Sequence, residues 1–370
     1  MISTAAEPPL ENNAKTSGNR SHRWEARGVL WDLSTINRLR KCGRIPVTPD
    51  GRVGVRADGN SVGFAGLATC GSVWACPVCN SKIQNVRRLE IGVALANLHA
   101  NGGGAAFGAV TVRHHRGQKL PQLLDGLTYG IARIAQDKAV KGLRASLGYL
   151  GRIQALEVTV GDSGWHPHRH PLLCFSRPVS DAEVAQLHAA EFRAYRAGVV
   201  SRGLDAPMIE GQELHPVTFE GAAVAFAEYF TKSGWSPEGA GFEMTAAQHK
   251  RARFGSRSVW QLLNGIMTGD AEDLELWHEY EDATRGKRAL TYTRGLRQLL
   301  GIAAELDDET IAEAEVGDHD DTGFYVTDWA PVRIQPALGA GLLNAVGPAG
   351  DWAAGRDFCR RFGVPFEEVQ

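Results

Sequence analysis

At 370 residues the chain is long enough for two or three domains, and its composition, 43% hydrophobic and 22% charged, is that of a globular protein. It has no long apolar run and a polar start, which excludes a membrane span, argues against a signal peptide and predicts a cytoplasmic protein with a disordered N-terminus over residues 1–25. The net charge of −2 is uneven: residues 1–260 carry 31 basic and 21 acidic side chains and can bind a polyanion, whereas residues 261–370 carry 9 and 21.

Four cysteines in residues 26–95 predict a small module stapled by structural zinc. Cys76 and Cys79 form a Cys-x-x-Cys knuckle whose two thiolates can chelate one ion. Cys70 lies six residues earlier, and Cys42 is followed by a glycine that permits a tight turn. Because no secretion signal is present, disulfides are disfavoured. A thioredoxin-like redox motif is the alternative, but the additional cysteines favour Zn²⁺.

A helix is expected after the knuckle, from Ser81 as N-cap to about Ala100. Its predicted apolar face consists of Ile83, Val86, Leu89, Val93 and Leu98. Arg87 and Arg88 lie off this face, where they either contact phosphate or are simply solvated. A buried strand follows over 106–113 and ends at Arg113, and a long helical region is expected over 120–145.

The most specific feature of the chain is a histidine-rich strand. His166, His168 and His170 alternate, so in an extended strand all three side chains point to one side. Residues 154–160 read as its hairpin partner, and a turn centred on residues 162–163 places Glu157 directly opposite His168. A carboxylate beside imidazoles predicts a divalent-cation site, with Mn²⁺ and Mg²⁺ as candidates and Zn²⁺ as an alternative. The third ligand beside His168 and His170 is Glu157, which we prefer, or His166.

The remaining elements complete a mixed pattern. Ser180 opens a helix to about Arg202, a strand is expected over 208–217, a short helix over 222–232, and further helices from 259 to 304. This order predicts an α+β fold with a central antiparallel sheet flanked by helices. We expect the zinc module and its linking helix over 26–95, the sheet domain over 96–240, a mostly helical acidic region over 241–345 and a tail over 346–370.

The short helix over 222–232 contains a candidate nucleophile. Tyr229 and Lys232 are three residues apart, so they share one helix face. A neighbouring cation favours the phenolate and can neutralise an anion that the phenolate attacks. Taken alone, however, this fragment fits better a core tyrosine beside an exposed lysine.

Three motifs in this order resemble those of the HUH endonucleases and, within them, the one-tyrosine initiators of plasmid rolling-circle replication. They are the strand end at residues 110–113, the histidine strand at 165–170 and the Tyr-x-x-Lys motif at 229–232. The knuckle at residues 69–79, followed by Arg87 and Arg88, and the stretch 277–284 look like the actinobacterial members. The resemblance spans about residues 40–300.

The resemblance implies a ferredoxin-like or RRM-like nickase fold and a metal-dependent nicking of plasmid origin DNA through a 5′-phosphotyrosine at Tyr229, with Lys232 stabilising charge. Both duplex and single-stranded origin DNA are implied partners, with a host helicase and a second copy of the chain as further candidates. The candidate DNA contacts are Arg87, Arg88, Arg113 and Arg169. Some members carry a glutamate four residues before the tyrosine, where this chain has Ala225, so the group that activates water at termination stays open.

Four alternatives compete with this interpretation. A conjugative relaxase usually has its tyrosine before the histidines, and a one-tyrosine transposase is usually much shorter and lacks the zinc module. A zinc-stabilised DNA-binding regulator would bind origin-like duplex and leave it intact. A metal-dependent hydrolase would need no tyrosine.

Overall fold

The computed structural model describes residues 10–218 and 257–369 and divides into two compact units. The described residues up to Ile83 and from Asp307 onward form unit 1, and those between Gln84 and Leu306 form unit 2. The helices are α1 Leu10–Leu33, α2 Asn37–Lys41, α3 Pro77–Ala100, α4 Leu120–Gln136, α5 Lys138–Ser146, α6 Asp181–Ser201, α7 Val259–Met267, α8 Ala271–Thr284, α9 Leu296–Leu299, α10 Asp308–Glu313, α11 Ala330–Ile334, α12 Ala337–Val346 and α13 Trp352–Phe362, with a 3₁₀ turn at Ile209–Gly211. The strands are β1 Val53–Ala57, β2 Val62–Ala65, β3 Gly104–Thr111, β4 Tyr149–Gly161, β5 Gly164–Phe175, β6 Glu213–Val217, β7 Arg257–Ser258, β8 Leu290–Tyr292, β9 Thr322–Val326 and β10 Phe366–Glu368.

Unit 1 is built on a four-stranded antiparallel sheet in the order β10-β9-β1-β2. Its core joins alternate residues of the strands, such as Val53, Val55 and Phe324, to the apolar sides of α12 and α13. Helix α1 packs against α12 and buries Trp24 in this core. From Leu10 onward the structure thus differs from the disordered start expected over residues 1–25, because Trp24 of this helix has a hydrophobic surface to bind. Residues 1–9 lie outside the described residues.

The end of the chain also differs from the expected tail over 346–370. Strand β10 pairs with β9, which in turn pairs with β1, so the last residues close the sheet of unit 1. Helix α13 contributes Cys359, which is fully buried. The expected boundary failed because the pairing joins strands that lie far apart in sequence, and such pairing has no local sequence signature.

Unit 2 contains a six-stranded antiparallel sheet in the order β6-β3-β5-β4-β7, with β8 also paired to β4. Helices α4 and α6 pack together on one face, and the C-terminal half of α3 packs with residues 290–300 against part of the other. The predicted α+β class, with antiparallel sheets flanked by helices, is therefore confirmed. Among the described residues, no helix is long and apolar enough to cross a membrane.

Helix α3 corrects two details of the sequence analysis. It begins at Pro77, inside the cysteine knuckle, because proline is well suited to the first position of a helix. The predicted apolar face is also shifted: Leu89 is 59% exposed and Val93 48% exposed. The buried stripe instead runs through Ile91 and Leu95, whose side chains join the core of unit 2.

Candidate metal centres and nucleic-acid site

The four predicted cysteines of unit 1 lie together, with all their sulfur atoms within 4.8 Å of one another and all four residues buried. The Sγ of Cys42 is 3.8 Å from that of Cys76 and 3.6 Å from that of Cys79. The Sγ atoms of Cys70 and Cys79 are also 3.6 Å apart. A tetrahedral ion with zinc–sulfur bonds of about 2.3 Å separates its ligands by about 3.8 Å. The cysteines therefore fit a metal ion such as zinc.

The turn at Cys42 and Gly43 is held from two sides. The indole nitrogen of Trp31 donates to the carbonyl of Cys42 at 2.8 Å, and that of Trp329 donates to the carbonyl of Gly43 at 3.0 Å. The backbone nitrogen of Gly43 donates to the carbonyl of Ala68 at 2.7 Å. Gly43 has φ +63°, which favours glycine, so the sequence expectation of a glycine-dependent turn is met at this ligand.

A buried arginine lies beside this turn. Arg27 is 3% exposed, and its guanidinium carbon is 3.9 Å from the centre of the Trp24 ring. Its Nε and Nη2 atoms are buried and have no hydrogen-bond partner among the described residues. A buried cation needs a nearby negative charge. Four thiolates around a divalent zinc ion carry a formal net charge of about −2, so a loaded cysteine site would supply it.

The histidine strand of unit 2 has the predicted geometry. Strands β4 and β5 pair so that Glu157 is opposite His168 and Thr159 is opposite His166. The Nε2 of His170 lies 2.8 Å from an Oε of Glu157. The ring centres of His166 and His168 are 3.9 Å apart, and those of His168 and His170 are 5.9 Å apart. The structure thus brings all four predicted side chains to one face of the sheet.

Burial sets the protonation of this face. Desolvation, reinforced by the neighbouring imidazoles, lowers the pKa of His166 to about 3. Desolvation also lowers the pKa of His168 to about 4, although the charge of Glu157 acts in the opposite direction. Both rings are therefore neutral at pH 7, which is the form of imidazole that binds metal ions.

The histidine face is more open than the cysteine site. Among the residues that the structure describes, the four cysteines form the one group of three or more His, Cys, Asp or Glu residues whose ligand atoms all lie within 4.8 Å of one another. The histidine face instead presents the close pair His170–Glu157 and the adjacent rings of His166 and His168.

One residue of this face was missed by the sequence analysis. His114 follows β3, and its ring centre lies 4.3 Å from that of His166. Burial lowers its pKa, although the nearby carbonyl of Val112 acts in the opposite direction. The available signal was a histidine pair, His114 and His115, directly after the strand predicted to be buried.

Comparison with curated proteins finds a relative named Protein rep, from Streptomyces lividans, that is 33% identical over 328 aligned residues covering 71% of each chain. The chain belongs to this Rep family. A protein named Neomycin resistance protein, from Streptomyces cyanogenus, is 35% identical over 133 residues, covering 29% of this chain and 30% of the relative. No family model and no solved structure matches the chain.

The expected nucleophile of this Rep-family chain lies outside the described residues. Tyr229 and Lys232 both fall there, as does Ala225. The roles expected for these three residues therefore rest on the sequence.

Arg87 does not occupy the DNA-facing position that the sequence analysis considered. It is 5% exposed, and its guanidinium contacts Glu90 at 3.1 Å and the carbonyl of Leu306 at 2.7 Å. Arg297 contacts the same Glu90 at 3.0 Å. This buried network explains Arg87 as a structural residue of unit 2, because its donors are already used inside the protein.

The other three candidate DNA contacts differ in accessibility. Arg88 is exposed and donates to Asn85 at 3.0 Å. Arg113 is exposed at the start of the loop that carries His114. Arg169 is half-buried and alternates with the histidines, so it points to the opposite face of the sheet. Among the four candidates, Arg113 is therefore the exposed residue that directly precedes a member of the histidine face, His114.

Proposed function

We propose that this Rep-family chain is an HUH-type nickase that initiates rolling-circle replication by cutting and rejoining one DNA strand at a plasmid origin. The observation that carries the proposal is the β4–β5 register, which puts Glu157 opposite His168 and within 2.8 Å of His170. Neutral imidazoles beside a carboxylate suit a divalent cation, and such a cation could bind a phosphate oxygen.

Mn²⁺ or Mg²⁺ would be held by His168, His170 and Glu157, with His166 as the alternative third ligand. The bound cation would supply polarisation of the scissile phosphate. Glu157 orients His170 through their short contact, and the neutral ring of His168 offers its lone pair.

The bonds that form and break in the proposed reaction join Tyr229 and the DNA. The phenolic oxygen of Tyr229 attacks the phosphorus, forming a 5′-phosphotyrosyl bond, while the 3′ oxygen leaves and takes up a proton. The free 3′-OH primes leading-strand synthesis. A later attack by a 3′-OH breaks the phosphotyrosine, rejoins the strand and returns the proton to the tyrosine. Lys232 stabilises the negative charge during both transfers.

The experiment incubates the full chain with a single-stranded origin oligonucleotide and Mn²⁺ or Mg²⁺, and looks for a covalent adduct on a denaturing gel. We expect an adduct with the native protein and none with Tyr229→Phe or with the double variant His168→Ala/His170→Ala. Tyr129→Phe is the matched control, since Tyr129 lies on α4 with 37% exposure, and it should retain the adduct. An adduct that persists in Tyr229→Phe refutes the nucleophile assignment.

The closed cysteine site favours a second candidate function, a zinc-stabilised DNA-binding regulator. The observation is that the sulfur atoms are already gathered within 4.8 Å, whereas the histidine face is open. Such a protein binds origin duplex without cutting it. Origin binding with no adduct under any divalent cation would support this candidate over the nickase.

A further inference from the structure

We propose that His114 belongs to the cation site of unit 2 and adds an imidazole ligand from outside the hairpin to the ligands named above, His168, His170 and Glu157 or His166. The inference rests on the proposed function, because it adds a residue to the same site.

The rings form a continuous group. The ring centre of His114 lies 4.3 Å from that of His166, which lies 3.9 Å from that of His168. The next ring, His170, is 5.9 Å further along the strand and is engaged by Glu157 at 2.8 Å. The three closest imidazoles on this face are therefore His114, His166 and His168, drawn from two chain segments.

The loop that carries His114 is anchored at its start. Thr111, the last residue of β3, is paired with His168 across the sheet. The hydroxyl of Tyr195 donates to the carbonyl of Thr111 at 2.9 Å, and the next residue, Val112, is 1% exposed. Two residues later comes His114, so its backbone position is tied to the strand that carries the other histidines.

The same loop also lies near the hairpin turn, at His115 and Arg116. A β carbon placed on Gly164, in the hairpin turn, would lie 3.3 Å from the carbonyl of His115 and 3.4 Å from the Cα of Arg116. The loop therefore lies against the turn of the histidine hairpin. The loop that carries His114 is therefore next to the hairpin that carries His166.

The ring orientation fits a ligand role. The Nδ1 atom of His114 faces the carbonyl of Val112 at 3.5 Å, which leaves Nε2 as the nitrogen for a cation. Metal-binding histidines commonly direct the other ring nitrogen to a backbone carbonyl. His115 is different: it is exposed, and its Nδ1 lies 3.2 Å from the carbonyl of Arg116.

This pair of neighbours provides a matched test. Manganese chloride is titrated by calorimetry into the full, zinc-loaded chain and into His114→Ala, His114→Gln and His115→Ala. We expect both His114 variants to bind Mn²⁺ about 10–100-fold more weakly, and His115→Ala to bind within about twofold of the native protein. Circular dichroism and zinc content report whether each variant is folded.

The outcomes separate this inference from the proposed function. Native affinity in the His114 variants, with affinity lost in His168→Ala/His170→Ala, overturns the role of His114 and leaves the nickase proposal standing. Native affinity in that double variant as well overturns the histidine cation site itself. An equal loss in the His114 and His115 variants also overturns the inference, because a general effect of the loop would then explain it.

Discussion

Gln212 directly precedes β6, and its side chain extends the pairing of β6 with β3 beyond the backbone hydrogen bonds of the two strands. Strand β6 pairs with β3 as far as Glu213 opposite Ala109. One residue earlier, the Oε1 of Gln212 accepts from the backbone nitrogen of Thr111, and its Nε2 donates to the carbonyl of Thr111, both at 3.0 Å. Gln212 is 7% exposed, so water does not readily replace these bonds. We predict that Gln212→Met destabilises unit 2 and weakens Mn²⁺ binding at the proposed cation site.

The expected loss in the free energy of unfolding depends on which hydrogen bonds the backbone groups of Thr111 keep in the variant. The carbonyl of Thr111 keeps the hydroxyl of Tyr195, at 2.9 Å, whereas its N–H loses its acceptor in Gln212. An unsatisfied buried donor costs about 1–3 kcal/mol, and Thr111 is only half-buried, so we expect about 1–2 kcal/mol. In a domain of 150–250 residues each kcal/mol lowers the melting temperature by about 2–4 °C.

The assay is thermal unfolding followed by circular dichroism, with Mn²⁺ titration on the same samples. Because Thr111 is paired with His168, a loosened β3 end should also weaken Mn²⁺ binding. Gln136→Met, an exposed glutamine on α4 that bonds Arg133, is the control and should leave both quantities unchanged. If Gln212→Met melts with the native protein and binds Mn²⁺ equally well, the strand-completing role is refuted.

Three further predictions concern the cysteines. Metal analysis should find about one zinc per chain and almost none in Cys76→Ser; full zinc in that variant would contradict the four-ligand site. Arg27→Met should weaken zinc binding about tenfold in chelator competition, because it removes a buried positive charge, whereas the more exposed Arg44→Met should not. Burial raises the pKa of Cys174 to about 12, so at pH 8 its native thiol should react with iodoacetamide at least about 1,000-fold more slowly than in urea, and equal rates would contradict its burial.

The features that the sequence predicted well depend on local pattern. The alternation of His166, His168 and His170, followed back through a short turn to Glu157, defines a hairpin and its register without reference to the rest of the chain. The cysteine ligands were predictable for a similar reason, because a Cys-x-x-Cys knuckle and a Cys-Gly turn are local motifs. In both cases the signal lies within a few residues of the geometry it determines.

The features that were missed depend on contacts between distant segments. His114 reaches His166 because β3 pairs with β5, and nothing near His114 in the sequence specifies that pairing. The buried side of helix α3 could not be predicted from the local sequence either. It carries apolar residues on two sides, and only the packing against the sheet selects Ile91 and Leu95 over Leu89 and Val93.

The two clusters suit different tasks because one is closed and the other is open. Four buried thiolates would complete the coordination of a tetrahedral ion, which would leave no position for a phosphate and suits a structural role. The histidine face gathers three rings and one carboxylate less tightly, and a cation held there, as proposed, would keep positions for phosphate oxygens and water. We therefore expect the proposed DNA cleavage to require added Mn²⁺ or Mg²⁺ even when the cysteines are fully loaded with zinc.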